Sequence, residues 1–295
     1  MTNEYNCGSK VRITIVGAGG IGSSLLDLVA PALSNGVLAG SLGGIRIRLM
    51  DGDVVEHRNI AHQRFDSDDI GLAKVVVLAE RYNEVSTGKV TYIAEDENLV
   101  STKQLSGEDI VIIAVDRPEP RRLVHALSET VWLDLRCRGD AMLALDHSSD
   151  TADIERMTPN HEPASCQLTG AIESGNIEFG FGLAAIHGAQ WCLQTLRSLA
   201  GVNTRCPPAR ALSVTHGILQ TFIRDAPESS PVAAKIPPSR SSSKWSRDEE
   251  ERLLKEAERG WQLERVVAHH ERSEGAIFRR LCRLVFNKKS RGDIR

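Results

Sequence analysis

Several features that would assign a function at a glance are missing from this chain. No apolar run reaches ~18 residues, so no membrane span is expected. The start, Met1 to Lys10, is polar and short, without the apolar stretch of a secretory signal, which leads us to expect a cytoplasmic protein. Six cysteines are present (Cys7, Cys137, Cys166, Cys192, Cys206, Cys282), but no two form C-x-x-C, so no structural zinc knuckle is written here. Free thiols are the default expectation. The nine histidines contain no H-E-x-x-H. His269 and His270 are adjacent, a spacing that does not put two side chains on one helix face.

What is present is ordinary in amount and uneven in placement. The 295 residues suit one large α/β domain with a small appendage. The chain is 41% hydrophobic and 25% charged, as soluble globular proteins are. The net charge is −3, yet residues 240–295 hold 15 Lys/Arg against 10 Asp/Glu. That tail is therefore +5 and the rest −8, so the tail alone is suited to meet a polyanion.

Val11–Val16 reads as a buried strand, Gly20–Leu33 as a helix, Ser34–Gly44 as a Gly-rich connection and Ile45–Met50 as a second strand. Gly71–Tyr82 reads as a helix with Val75, Leu78, Ala79 and Tyr82 inward. Val90–Ala94, Ile110–Val115 and Val131–Leu135 read as strands, Arg121–Ser128 as a helix, and Met142–Leu145 as an added edge strand. This alternation predicts an α/β fold with a Rossmann-like, mostly parallel sheet. Asp146–Thr169 reads as a long loop, and Phe181–Leu199 and Ala209–Ile223 as helices. Residues 225–243 carry four prolines and six serines and read as a linker between residues 1–224 and a small all-α C-terminal module, residues 244–295.

Gly17, Gly19, Gly20 and Gly22 follow the first strand and open the first helix. Such glycines let a backbone approach phosphate, and the helix N-terminus offers amides and a positive dipole end. Asp51 ends the second strand, where a carboxylate can accept ribose hydroxyls. Those residues alone leave hydride transfer on NAD and nucleotidyl transfer from ATP both open.

The continuation separates the two. Asp51, Asp53, Val55, Asn59 and Gln63, then Asp69, Gly71 and Lys74, fit the pattern D-x-D-x-V-x-x-x-N-x-x-R-Q followed by D-x-G-x-x-K. This string resembles the ThiF/MoeB/HesA family, related to the ubiquitin-activating enzymes. The stretches around Ser34–Gly44 and Arg64-Phe65 also look like the plasmid and phage type associated with PRTRC systems. An NAD-dependent dehydrogenase has no reason to carry the string. The resemblance implies ATP bound by the glycines, Asp51, Asp53, Asn59, Gln63 and Lys74, with Lys74 neutralising charge as pyrophosphate leaves. It implies Mg²⁺ held by Asp116, at the end of the fourth strand and also placed to cap the next helix. Arg121 falls where the family often has arginine. Two departures bear on turnover. His62 stands at a family arginine, with Arg58 or Arg64 as replacements, and no arginine precedes the first strand. Both remove cations from the place where charge develops.

Ser165-Cys166-Gln167-Leu168-Thr169-Gly170 resembles the family's S-C-x-x-x-G. That likeness implies Cys166 as the nucleophile forming a thioester or persulfide link, once its thiol is acidified. Cys137, between Arg136 and Arg138, is the second candidate, and Cys192 reads as core. The family likeness further implies a partner, a ubiquitin-like or sulfur-carrier protein whose C-terminus is adenylated, and a homodimer.

In the tail, Ser246 and Glu249 read as a capping box ahead of a helix with Leu253, Leu254 and Ala257 inward. A second helix follows at Leu263–Ala268, and a third from Arg272-Ser273. Trp245–Leu284 resembles a Myb/SANT-like helix-turn-helix, in which the third helix would present Arg272, Ser273, Arg279, Arg280 and Arg283 to DNA. Docking to a protein is the other use of such a module. A nucleotide-binding regulator without catalysis, acting on DNA through this module, is the alternative to the adenylating enzyme.

Overall fold

The computed structural model describes residues 10–162, 165–222, 245–259, 263–272 and the single positions 277, 280 and 284. The chain divides into two compact units, Met1–Arg224 and Asp225–Arg295.

In the first unit β1 (Val11–Val16) leads to α1 (Gly20–Asn35), a single-turn α2 (Leu38–Ser41) and β2 (Ile45–Met50). Then come α3 (Lys74–Glu84), β3 (Val90–Glu95), β4 (Ile110–Ile113), α4 (Pro118–His125), β5 (Val131–Arg138), β6 (Ala141–Asp146), α5 (Thr151–Met157), α6 (Gly180–Leu199), β7 (Arg210–Ser213) and β8 (Gly217–Thr221). The eight strands form one sheet in the order β3-β2-β1-β4-β5-β6-β7-β8. The first five are parallel, and the last three add on antiparallel.

The central strand β4, Ile-Val-Ile-Ile, is apolar and buried throughout because both faces are covered, whereas β2 alternates its apolar residues with Arg46 and Arg48. On one face Ile13, Ile15, Ile47, Leu49, Ile112 and Leu135 pack against Leu25 and Val29 of α1, Val75 and Leu78 of α3, and Trp191 and Leu196 of α6. On the other, Val16, Val111, Ile113 and Trp132 meet Val124 of α4, Leu105 and Phe222. All four expected inward positions of α3 are buried. The seam between α1 and α6 is close because residue 188 is glycine. A Cβ there would stand 2.6 Å from Leu25 Cδ1 and 2.5 Å from Leu135 Cδ1.

Three expectations change. Ala209–Ile223 suits a helix by composition, but within it Arg210–Ser213 and Gly217–Thr221 pair as the β7–β8 hairpin. Its turn is nailed by Ser213, whose Oγ donates to Asp140 Oδ2 at 2.7 Å and accepts the amides of Thr215 and His216 at 3.1 and 3.0 Å. Gly217 takes φ +76°, which only glycine adopts freely. With this hairpin added, Met142–Leu145 is an interior segment of β6 rather than an edge. The expected loop Asp146–Thr169 contains α5, capped by Asp150, whose carboxylate accepts the Ala152 amide at 2.8 Å. Among the described residues no helix is long and apolar enough to cross a membrane.

In the second unit α7 (Arg247–Glu258) begins at Ser246, whose Oγ accepts the Glu249 amide at 3.2 Å, and α8 (Leu263–His270) follows. Leu253, Val266 and Ile277 form its core with Trp245, Val267 and Leu284 around them.

Candidate functional site

The strand order reverses at β1, between β2 and β4, which is where open α/β sheets bind ligands at their carboxyl ends. The glycine loop lies there. Gly17 has φ +100°, and a Cβ on it would stand 2.7 Å from the Ala114 carbonyl oxygen. A Cβ on Gly22 would fall 1.9 Å from the carbonyl oxygen of Gly17 itself, so the loop folds onto the helix start only with glycine at both places. Gly19, by contrast, faces open space. As N-cap of α1 it supplies no side-chain acceptor, so the helix presents amides and its positive end toward that space.

Asp51 does work beyond the expected ribose contact. Its Oδ2 accepts the Ala18 amide at 2.6 Å and its Oδ1 the Asp53 amide at 2.9 Å, tying the glycine loop to the end of β2. Burial pushes its carboxyl above the ordinary range despite those bonds. Lys74 is the first residue of α3, and its side chain is only 7% exposed. Its Nζ donates to Asp53 Oδ2 at 2.9 Å, while its amide donates to the Asp53 carbonyl at 3.0 Å. The two residues are therefore clamped by backbone and side chain together. Asn59 is buried and structural, accepting the Glu56 amide on Oδ1 at 2.8 Å. Gln63 keeps a buried Oε1 that has no hydrogen-bond partner among the described residues. An orphaned acceptor, an uncapped helix start and a clamped lysine are donors and acceptors suited to a nucleotide.

Asp116 is exposed on the turn between β4 and α4, and the helix N-cap is Arg117, not Asp116. One exposed carboxylate fits Mg²⁺ as that ion is usually bound beside phosphates, with few protein ligands and several waters. Arg121 is not free to join it. Its guanidinium is buried against Asp134 and the carbonyls of Val115 and Leu135. Asp134 also takes Arg136 at 2.5 Å and His125 at 2.9 Å. Of the replacement cations, Arg64 Nε lies 3.5 Å from Asp27, and Arg58 is 73% exposed beside Glu56.

Cys166 lies against the end of β5. Its carbonyl accepts the Gly139 amide at 2.9 Å, and Gln167 fastens the loop to the start of α6 through both amide atoms, 2.8 and 2.9 Å from the Glu178 backbone. The neighbouring Cys137 thiol, with His62 and Gln167, holds the Cys166 thiol well below its ordinary range. Cys137 is pushed the other way by its nearness to Cys166 and by burial. This corrects the expectation that its flanking arginines acidify it, since Arg136 is engaged with Asp134, Met157 and Thr158. Cys192 is core as expected, its thiol pushed up to about 12 by burial. His62 stacks edge-on to Phe181 and lies beside Gly20, linking the cysteine loop to the glycine loop. Sequence reasoning missed this meeting because the residues are far apart along the chain. The signal was there in part, since Cys137 falls at the carboxyl end of a parallel strand, where sites form.

In the second unit Arg272 is 1% exposed. Its Nε and Nη2 pair with Glu249 at 2.7 and 3.0 Å, and its guanidinium lies 4.0 Å from the Trp245 ring centroid. It holds the module together rather than facing DNA, because its charge is satisfied inside. Arg280 pairs with Glu250. Ser273, Arg279 and Arg283 lie outside the described residues. His269 and His270 do meet one group, contrary to their spacing: Glu256 takes His269 Nδ1 at 2.6 Å and His270 Nε2 at 2.9 Å.

A glycine loop at the switch point, with an acidic clamp on a buried lysine, defines a nucleotide-binding α/β protein. The ThiF family model matches residues 6–228, and the chain belongs to the ThiF family. Its fold is similar to that of E. coli MccB with MccA-N7isoASN (TM-score 0.51, 16% identity, 76% of this chain and 66% of that one). E. coli MccB with AMPCPP and MccA gives TM-score 0.50 at 16% identity over 75% of this chain and 65% of that one. PaaA gives 0.47 at 16% identity over 72% and 65%. At these identities the likeness is one of fold, and the chain spans about two thirds of the structures it matches. No curated protein matches the chain.

Proposed function

We propose that the protein uses ATP to adenylate the C-terminal carboxylate of a small carrier, a ubiquitin-like or sulfur-carrier protein, and passes the acyl group to Cys166. The observation that carries this reading is the buried Lys74, clamped to Asp53, whose amide bonds the same Asp51 carboxylate that accepts the Ala18 amide of the glycine loop. Adenylation brings two anions together. The carboxylate oxygen bonds to the α-phosphorus, the bond to the bridging oxygen breaks, and pyrophosphate leaves. On this reading the α1 amides and Lys74 oppose that charge. Mg²⁺, held by Asp116 and the phosphates, would add Lewis-acid neutralisation. Cys166, acidified by its neighbours, would then attack the acyl carbon and release AMP. Family membership and the MccB structures, whose names include ATP-analogue and peptide complexes, support this reading.

ATP–pyrophosphate exchange with candidate carriers tests it. Exchange that depends on a carrier C-terminus is expected, and its absence with every carrier that binds would overturn it. The second reading, a regulator that binds nucleotide without turnover, is favoured by the enclosure of Arg121 and by His62 standing at a family arginine. It predicts ATP binding without exchange. For residues 244–295 we propose DNA as partner, on their net charge of +4 (14 Lys/Arg against 10 Asp/Glu) and on Arg279 and Arg283 rather than Arg272. Anisotropy titrations of duplex DNA at several salt concentrations should show steep salt dependence. No binding at low salt makes the module a protein-docking element. The homodimer implied by the family is read out by sedimentation.

A further inference from the structure

We infer that Cys137 and Cys166 form a dithiol that hydrogen peroxide oxidises reversibly to a disulfide, a modification site beside the nucleotide loop. Four observations place the two sulfurs together and make them unequal. Cys137 is the next-to-last residue of β5, and just past the strand the Gly139 amide donates to the Cys166 carbonyl at 2.9 Å, so the cysteine loop is fastened to the strand end by its backbone. Gln167 fastens the next residue to the Glu178 backbone, which fixes the loop from its other side. The thiols of Cys137 and Cys166 lie close enough to push each other's acidity in opposite directions, and each is only partly buried, so a small oxidant has access. His62, nine-tenths buried with Nδ1 lacking a hydrogen-bond partner among the described residues, sits beside Cys166.

The chemistry follows from that inequality. The lowered thiol of Cys166 makes it the thiolate, and a thiolate is the species that attacks peroxide. Its sulfur bonds to the distal peroxide oxygen, the O–O bond breaks, and with one proton the other oxygen leaves as water. Cys166 is now a sulfenic acid, oxidised by two electrons. The Cys137 sulfur then attacks the Cys166 sulfur, its proton joins the departing hydroxide, and a second water leaves. The net reaction is two thiols plus one peroxide giving one disulfide and two waters. A dithiol reductant reverses it by exchange. Cys192 is buried in the core and Cys206 lies beside Thr195, 3.6 Å from its Oγ1, so neither competes for Cys166. On the proposed function, the disulfide also withdraws the nucleophile from the acyl-adenylate. The pairing itself rests only on the geometry.

The test uses the full chain without ATP or carrier, so its outcome does not depend on that function. The protein is treated with hydrogen peroxide, quenched, and digested for peptide mapping, with dimedone present in a parallel sample. The expected result is loss of two hydrogens in a cross-linked peptide joining Cys137 to Cys166, reversed by dithiothreitol. In Cys137→Ser the cross-link is lost, and dimedone should label Cys166 about tenfold more than in the wild type, because the sulfenic acid has no resolving thiol. Cys166→Ser should form no disulfide at Cys137. Circular dichroism confirms that each variant is folded, and mapping the wild type alone keeps the test open if one is not. A wild type that accumulates dimedone-labelled Cys166 with Cys137 free overturns the inference, as does a disulfide to any other cysteine or no oxidation at either position.

Discussion

Lys74 offers the cleanest test at the scale of single residues. It is buried, and its ammonium bonds a mostly exposed Asp53. Lys74→Met keeps the volume and removes the charge. We expect a stability change under about 1.5 kcal/mol, since the swap nearly conserves shape. ATP affinity should fall roughly 10- to 100-fold, the value of one charge-assisted hydrogen bond. Paired urea melts and calorimetry check both halves, and an unchanged affinity removes Lys74 from the site. Gly22→Ala should be far worse, because its Cβ would overlap the Gly17 carbonyl oxygen and the loop cannot yield without leaving β1. Loss of ATP binding with a lowered melting temperature is expected. These residues were legible because the loop and the Asp51–Lys74 string are local patterns with local causes. The pairing of Cys137 with Cys166, and of both with His62, was not legible. It depends on which strand lies beside which loop, and no spacing along the chain encodes that.

Elements were read best where the apolar pattern had one meaning. The starts and ends of β1 and β2 came from short apolar stretches, β-branched in β1 and alternating with arginine in β2, and the inward face of α3 from its helical spacing. The β7–β8 hairpin was misread because the decisive contact is tertiary: Asp140, just before β6 and some 75 residues away along the chain, organises its turn. Those bonds, from Thr215 first and then Ser213, hold the Asp140 carboxyl down at about 2. In the second unit the arginine expected on the outer surface lies inside for a similar reason, since a buried Glu249 demands a cation. Arg272→Ala should therefore cost roughly 3–5 kcal/mol, as breaking buried ion pairs does. Hydrogen exchange on the full chain should show lost protection confined to α7 and α8, with the first unit unchanged. If protection survives, the Arg272–Glu249 pair is not what holds this unit.

For the molecule as a whole, acid sensitivity follows from two histidines kept neutral inside. Burial, ahead of their arginine neighbours, lowers both His125 and His187 to about 4. His125 also touches Asp134 at 2.9 Å, but that carboxylate already faces Arg121 and Arg136, so the depression stands. A folded value below the unfolded one means the native state binds fewer protons. The stabilisation is complete above about pH 6.5 and is lost as pH falls toward 4. Each histidine should cost about 2 kcal/mol by pH 5. Urea melts at pH 7.5 and 5 measure this, and His187→Leu should flatten the difference; an unaltered pH slope would show that His187 is not one of the acid-sensitive groups. At this scale the α/β class was readable from the alternation of strands and helices, whereas the three antiparallel strands added beyond β5 were not. The central claim is that the switch-point crevice is an ATP site. Isothermal titration of the full chain with ATP and Mg²⁺, and separately with NAD, tests it most directly. Saturable ATP binding that is lost in Lys74→Met, with no heat from NAD, is the predicted result. Saturable NAD binding with none for ATP would contradict it.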